Sequence, residues 1–207
     1  MIRVLCGVCL ALIVCAAVAI AADEEGFVPL FKGKDLTGWE GNKELWIVKD
    51  GMLVGKSPGI QQNEFLATEK SFGNFELRLE FRMIDGKGNS GIQYRSKRVP
   101  DSTEVSGYQA DLGDSYWGAL YDESRRNRVL QAPKAEELAK VLKKDGWNEY
   151  VIRAEGTHLT QFVNGLKTVD YEEKEADIAD KGIMAVQIHS GGPMEIQFRD
   201  IRIKELK

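Results

Sequence analysis

Between Phe75 and Arg82 the chain alternates apolar and charged side chains without a break, Phe-Glu-Leu-Arg-Leu-Glu-Phe-Arg. A period of two sends every apolar side chain to one face of an extended strand and every charged one to the other, a pattern an α-helix cannot use. Met194-Glu195-Ile196-Gln197-Phe198-Arg199 repeats it, and shorter versions occur at 91–96, 108–112, 150–154 and 184–189. Asn164-Gly165 lies between apolar stretches at 159–163 and 166–171, and Asp50-Gly51 between 46–49 and 52–55. These dipeptides tolerate the positive φ that a two-residue type I′ hairpin demands. The first hairpin then pairs Val163 with Leu166 and His158 with Tyr171. One short helix is expected over 135–144, where Leu138, Val141 and Leu142 fall at helical spacing before Asp145-Gly146. Many strands, frequent turns and one minor helix predict an all-β antiparallel sandwich or barrel. Its core would hold Leu77, Leu79, Phe81, Ile92, Tyr94, Ile188, Ile196 and Phe198.

The N-terminus is of another kind. Arg3 precedes an uncharged, mostly apolar run over 4–22, and Ala19-Ile20-Ala21 has the small-x-small form of a cleavage site. We expect a signal peptide over 1–21 and one domain over 22–207, with no stable membrane span after cleavage. A membrane anchor is the alternative, and a lipoprotein a lesser one, since Leu12-Ile13-Val14-Cys15 ends in a cysteine but Val14 is not the small residue a lipobox wants there. All three cysteines, Cys6, Cys9 and Cys15, lie in this leader. Disulfide staples and a thiolate zinc site are therefore excluded from the domain. The chain carries a net charge of −4 and has no basic tract, which argues against nucleic acid as a partner.

The polar faces of the strands suggest where chemistry could sit. The strand at 75–82 offers Glu76, Arg78, Glu80 and Arg82; that at 91–96 offers Gln93 and Arg95. The next pair offers Gln109 and Asp111, then Gln187 and His189. If the four strands neighbour one another, these groups form a hydrogen-bonding floor of the kind that holds sugar hydroxyls. Tyr116, Trp117 and Tyr121 in the following loop could add stacking rings. Alternating Glu and Arg on a solvated face is also ordinary cross-strand pairing. We read Glu76, Arg78 and Glu195 that way, and leave both readings open for Gln93, Arg95, Gln109 and Asp111. His189, before the turn Ser190-Gly191-Gly192-Pro193, is either a proton carrier or a strand-end residue bonded to that turn. His158 reads as structural.

Other chemistries lack their motifs. The sequence contains no G-x-S-x-G, G-x-G-x-x-G, P-loop or H-E-x-x-H pattern, and two histidines cannot make a three-histidine zinc site. No cofactor is required by the sequence, although scattered carboxylates are compatible with a divalent cation. No compact pair of carboxylates marks an ordinary retaining glycosidase.

Taken together, several stretches resemble the 3-keto-disaccharide hydrolase domain family. They include Phe27-Val28-Pro29-Leu30-Phe31-Lys32-Gly33-Lys34-Asp35-Leu36-Thr37-Gly38-Trp39, Gly88-Asn89-Ser90-Gly91-Ile92 and Gly107-Tyr108-Gln109-Ala110-Asp111. Gly118-Ala119-Leu120-Tyr121-Asp122-Glu123, Trp147-Asn148-Glu149-Tyr150, Gln187-Ile188-His189 and Phe198-Arg199-Asp200-Ile201 continue in the same order. The resemblance implies a concanavalin-A-like sandwich (a jelly roll) and export to a bacterial periplasm or cell surface. It implies action on a carbohydrate, a disaccharide or glycoside already oxidised at C3. A ketone at C3 acidifies the C2 proton, so a base can form an enolate and expel the C1 substituent, after which water adds. The roles it implies are His189 as base or acid and Asp111 as its orienting partner, a second base or a metal ligand. Arg95 or Arg126 would face the enolate oxygen. Glu80, Gln93, Gln109, Trp117, Tyr121 and Asn148 would hold the sugar. Many relatives carry glutamate where Gln109 stands. Direct hydrolysis and elimination followed by hydration both remain open, as does a non-catalytic carbohydrate-binding module on the same fold.

Overall fold

A computed structural model of the chain describes residues 25–113 and 115–207. The leader expected over 1–21 lies outside the described residues. Among the described residues the chain runs through β1 (Val28–Pro29), β2 (Trp39–Glu40), β3 (Trp46–Lys49), β4 (Met52–Ser57) and β5 (Glu64–Phe72). It continues through β6 (Phe75–Met83), β7 (Asn89–Arg98), β8 (Val105–Gly113), β9 (Leu120–Glu123) and β10 (Arg128–Gln131). After the helical turn α1 (Ala135–Leu138) come β11 (Asn148–Glu155), β12 (His158–Val163), β13 (Leu166–Glu172), β14 (Gly182–Ile188) and β15 (Met194–Glu205). No helix among the described residues is long and apolar enough to cross a membrane.

The strands form the two-sheet antiparallel sandwich that the alternation predicts. One sheet has the order β13-β12-β11-β6-β15-β4-β3 with β1 added beside β15, and the other β10-β9-β8-β7-β14-β5-β2. Strand β6 shows the logic in full: Phe75, Leu77, Leu79, Phe81 and Met83 are buried and the residues between them are half-buried. The opposite sheet answers with Ile92, Tyr94, Tyr108, Leu112 and Ile188. Phe75 meets Tyr94 edge-on at 6.0 Å, and Tyr94 stacks on Tyr108 at 5.5 Å. All eight expected core residues are at most 1% exposed. Burying each large apolar side chain contributes about 1.5–3 kcal/mol.

Both hairpins form as the dipeptides require, with φ of 51° and 77° at Asp50-Gly51 and 49° and 82° at Asn164-Gly165. Val163 pairs with Leu166, but beyond that the register differs from expectation. A bulge at Thr168, whose hydroxyl lies 3.3 Å from the Gln161 carbonyl, shifts the ladder by one, so His158 faces Glu172 and not Tyr171. The helix is also shorter than its apolar spacing predicts. Asn148 Oδ1 takes the Lys143 amide at 2.8 Å, and Asn164 Nδ2 donates to the Val141 carbonyl at 2.8 Å. These side chains take up backbone groups that a longer helix would use, so winding stops.

Sheet membership brings the main correction. β6 does not neighbour β7, β8 and β14; it sits in the middle of the other sheet. Glu76, Arg78, Glu80 and Arg82 therefore project from the opposite outer face. They are engaged there in cross-strand pairs such as Arg153–Glu76 at 3.2 Å and Arg199–Glu80.

Candidate functional site

Strands β9, β8, β7 and β14 lie side by side, and their outward-facing residues make one floor. Register fixes who meets whom: Gln93 stands opposite Gln109, Gly91 opposite Asp111, and Tyr121 on the far side of Gln109. Alternation on β14 points Gln187 and His189 the same way. A small cleft of about 140 Å³ opens on this floor, lined by Asn89, Gln109, Asp111, Tyr116, Tyr121, Glu123 and His189.

The floor is built from amides. Gln93 Nε2 donates to Gln109 Oε1 at 2.8 Å, and Gln109 Nε2 donates to Asp111 Oδ2 at 3.4 Å. Behind them the Ser96 hydroxyl lies 2.8 Å from Gln93 Oε1. All four side chains belong to residues at most 3% exposed. Gly91 makes room for this row, because a Cβ there would come within 2.4 Å of Gln109 Cδ. Asp111 is thus held from below by a polarised carboxamide, and its strand is pinned by the Asp111 amide on the Ala119 carbonyl at 2.9 Å.

His189 Nδ1 lies 2.8 Å from the Ser190 carbonyl. A carbonyl only accepts, so Nδ1 carries a proton, and in the neutral tautomer this leaves the lone pair on Nε2. The strand-end bond to the turn and a proton-carrying role are thus compatible in one residue. Across the cleft, burial and the nearby Glu104 carboxylate raise the Glu123 carboxyl above its ordinary range, against the opposing influence of His189, Ser124 and Gln187. Burial, assisted by Glu123, likewise keeps the Tyr121 hydroxyl protonated. Tyr116 meets Tyr121 edge-on at 6.3 Å at the mouth.

The structure brings together His189, Asp111, Gln109 and Tyr121 from the expected set, with Gln93 beneath them. It does not bring the others. Arg95 sits at a bulge with φ of 47°, which breaks the alternation. Its guanidinium turns to the end of the sandwich, donating to the carbonyls of Gly73 and Gly156 at 3.0 and 2.6 Å and to Asn74 Oδ1 at 3.1 Å. Arg126 is bound into a knot with Asp122, Glu173 and Glu175. Asn148 is 1% exposed, and its carboxamide is spent on Lys143, Gly146 and Asn164. Trp117 stacks on Phe81 at 6.1 Å, against the core and away from the cleft. Glu80 belongs to the other face, as described above.

Glu123 and Asn89 line the cleft without having been singled out in sequence. Glu123 was concealed because Leu120-Tyr121-Asp122-Glu123 places a charge, Asp122, on the core side, where it answers Arg125 and Arg126. Tyr121 two residues earlier carried the available signal, since position 123 shares its face. Among the described residues no group of three or more His, Cys, Asp and Glu side chains is arranged to hold a metal.

The family model of a 3-keto-alpha-glucoside-1,2-lyase-like domain matches residues 26–204. A 3-keto-disaccharide hydrolase of Bacteroides thetaiotaomicron is 32% identical over 91 residues, covering 39% of this chain and 31% of that relative. A crystal structure from Parabacteroides distasonis, provisionally described as a glycosyl hydrolase, superposes with a TM-score of 0.67 at 21% identity over 88% of this chain and 95% of that one. The carbohydrate binding module CBM66 of Bacillus subtilis gives a TM-score of 0.64 at 14% identity, over 81% of this chain and 96% of that one. At such identities these two structures speak for the concanavalin-like sandwich alone.

Proposed function

This chain belongs to the 3-keto-alpha-glucoside-1,2-lyase-like domain family, and from that premise we propose that it cleaves the glycosidic bond of a disaccharide or glycoside carrying a ketone at C3. The observation that carries the reading is the cleft, where one imidazole and two carboxyls in different surroundings border a single opening. The neutral His189 ring offers its Nε2 lone pair to the C2 proton. As the C2–H bond breaks, its electron pair forms the enolate and the charge gathers on the C3 oxygen. Tyr121, held protonated, donates a hydrogen bond to that oxygen, a role the distant guanidinium groups do not fill. Glu123 retains a proton that it gives to the leaving oxygen as the C1–O bond breaks. Water then adds to the unsaturated sugar, and the net result is hydrolysis. Asp111, oriented by Gln109, accepts sugar hydroxyls. The same proposal has the protein exported, on the strength of the leader in its sequence.

The test is to incubate the protein with a 3-keto-disaccharide and with its unoxidised parent in heavy water. Monosaccharide released only from the keto form, with deuterium entering at C2, is the expected outcome. His189→Gln should abolish both, because glutamine hydrogen-bonds but carries no proton. Binding without release, unchanged by His189→Gln, would make the domain a carbohydrate-binding module.

A further inference from the structure

A second cavity of about 160 Å³ opens beyond the bulge at Arg95, lined chiefly by Arg95, Ser96, Lys97, Ser106, Arg125 and Lys181. Its walls hold four cationic side chains against one carboxylate, Asp177. Arg95 is 4% exposed, yet all three of its hydrogen bonds go to neutral oxygens. Burial weakens its hold on its proton, and Asp180 offsets this only at longer range. A buried cation without a bonded counter-charge is costly to keep. Arg125 is half engaged. Its Nε is 2.7 Å from Asp122 Oδ1 and its guanidinium lies over the Tyr108 ring at 4.4 Å, but Nη2 is buried with no hydrogen-bond partner. Lys97 and Lys181 are exposed at the rim and carry no ion pair among the described residues.

Planar guanidinium forks match the edges of tetrahedral oxyanions, and charge-assisted bonds of this kind are among the strongest available to a side chain. We propose that this cavity binds a tetrahedral oxyanion, a sulfate or phosphate group, with Arg95 and Arg125 as the inner donors, Ser106 as a hydroxyl donor, and Lys97 and Lys181 as outer charges. The ligand would complete the hydrogen bonding of Arg125 Nη2 and supply the counter-charge that Arg95 lacks. The site stands apart from the cleft and does not depend on the reading given for it.

Calorimetric titration of the protein with sodium sulfate, sodium phosphate and glucose 6-sulfate, in chloride buffer of constant ionic strength, tests the proposal. Saturable binding with one site per chain is expected. The double variant Lys97→Gln/Lys181→Gln, which alters exposed side chains only, should weaken it by about tenfold (about 1.4 kcal/mol) while leaving the anion-free melting temperature unchanged. Arg125→Gln should abolish it. Tighter binding of the sugar ester than of inorganic sulfate would identify a sulfated or phosphorylated glycan as the ligand, and equal binding a free ion. Absence of saturable heat with all three probes, or full affinity in the double lysine variant, would overturn it.

Discussion

Gly91→Ala isolates what the amide row contributes. Gly91 is not among the glycines with positive φ, so alanine meets no backbone strain there, and the whole effect is steric. The new Cβ would lie 2.4 Å from Gln109 Cδ and 2.5 Å from Cγ, where ordinary contact begins at 3.4 Å. Gln109 must therefore retreat by about 1 Å. It cannot do so and keep both its 2.8 Å bond from Gln93 and its 3.4 Å bond to Asp111. Each buried polar group left unmade costs roughly 1–3 kcal/mol, so a total of about 2–4 kcal/mol is expected. At roughly 2–4 °C per kcal/mol for a domain of this size, the melting temperature should fall by on the order of 10 °C. Thermal unfolding followed by circular dichroism reads this directly. Turnover of the keto-disaccharide should fall further than stability does, because Asp111 loses its support. In the double variant Gly91→Ala/Gln109→Ala the clash is gone, and the two costs should be less than additive. An unchanged melting temperature in Gly91→Ala, or strict additivity in the pair, would refute the steric argument.

Further outcomes follow from charge. The Glu123 carboxyl is raised in the folded state, so ionising it opposes folding; Glu123→Gln should raise the melting temperature at pH 8 but not at pH 4, where the native group is already neutral. The same substitution should remove the alkaline limb of the pH–rate profile, which reports loss of the acid's proton. Burial alone would raise the Glu173 carboxyl, but the hydrogen bonds from Arg126 and Tyr108 outweigh it and hold the group down to about 2. Its contribution is therefore complete above its unfolded value of 4.5 and is lost as pH falls toward 2, a loss on the order of 3 kcal/mol that acid titration of stability should show. Arg126→Met takes from Glu173 its arginine partner and from Asp122 one of two, and should destabilise by about 3–5 kcal/mol in urea unfolding, without changing KM.

The period-two pattern identified strands, their inward faces and both tight turns, because each depends on neighbours within a few residues. It could not say which sheet a strand joins. Glu80 and Gln109 have the same local pattern, yet β6 and β8 lie on opposite layers, a matter decided by the pairing of β6 with β11 and β15, which come much later in the chain. Arg95 was misplaced because a bulge changes parity, and nothing in Gln93-Tyr94-Arg95-Ser96 announces a left-handed residue that is not glycine. Trp117 and Asn148 were credited to the sugar for their chemistry, but they lie where buried partners satisfy them: Phe81 for the ring, three backbone groups and Asn164 for the carboxamide. His189, Asp111 and Gln109 were legible because β7, β8 and β14 keep an unbroken alternation where the three converge.

The Asn164-Gly165 turn bears on how the molecule ages. Asparagine before glycine is the dipeptide most prone to lose its amide, through attack of the glycine nitrogen on the side-chain carbonyl. Here Asn164 Nδ2 donates to Val141 O and to Asn148 Oδ1, at 2.8 and 2.7 Å, and Oδ1 accepts from the Glu149 amide at 2.9 Å. A side chain clamped on both ends cannot swing freely toward its own backbone. Were the amide lost, a carboxylate oxygen would confront two acceptors where a donor stood, and the turn, the stretch after α1 and the start of β11 would all lose their shared fastening. The durability of the fold would rest on that clamp.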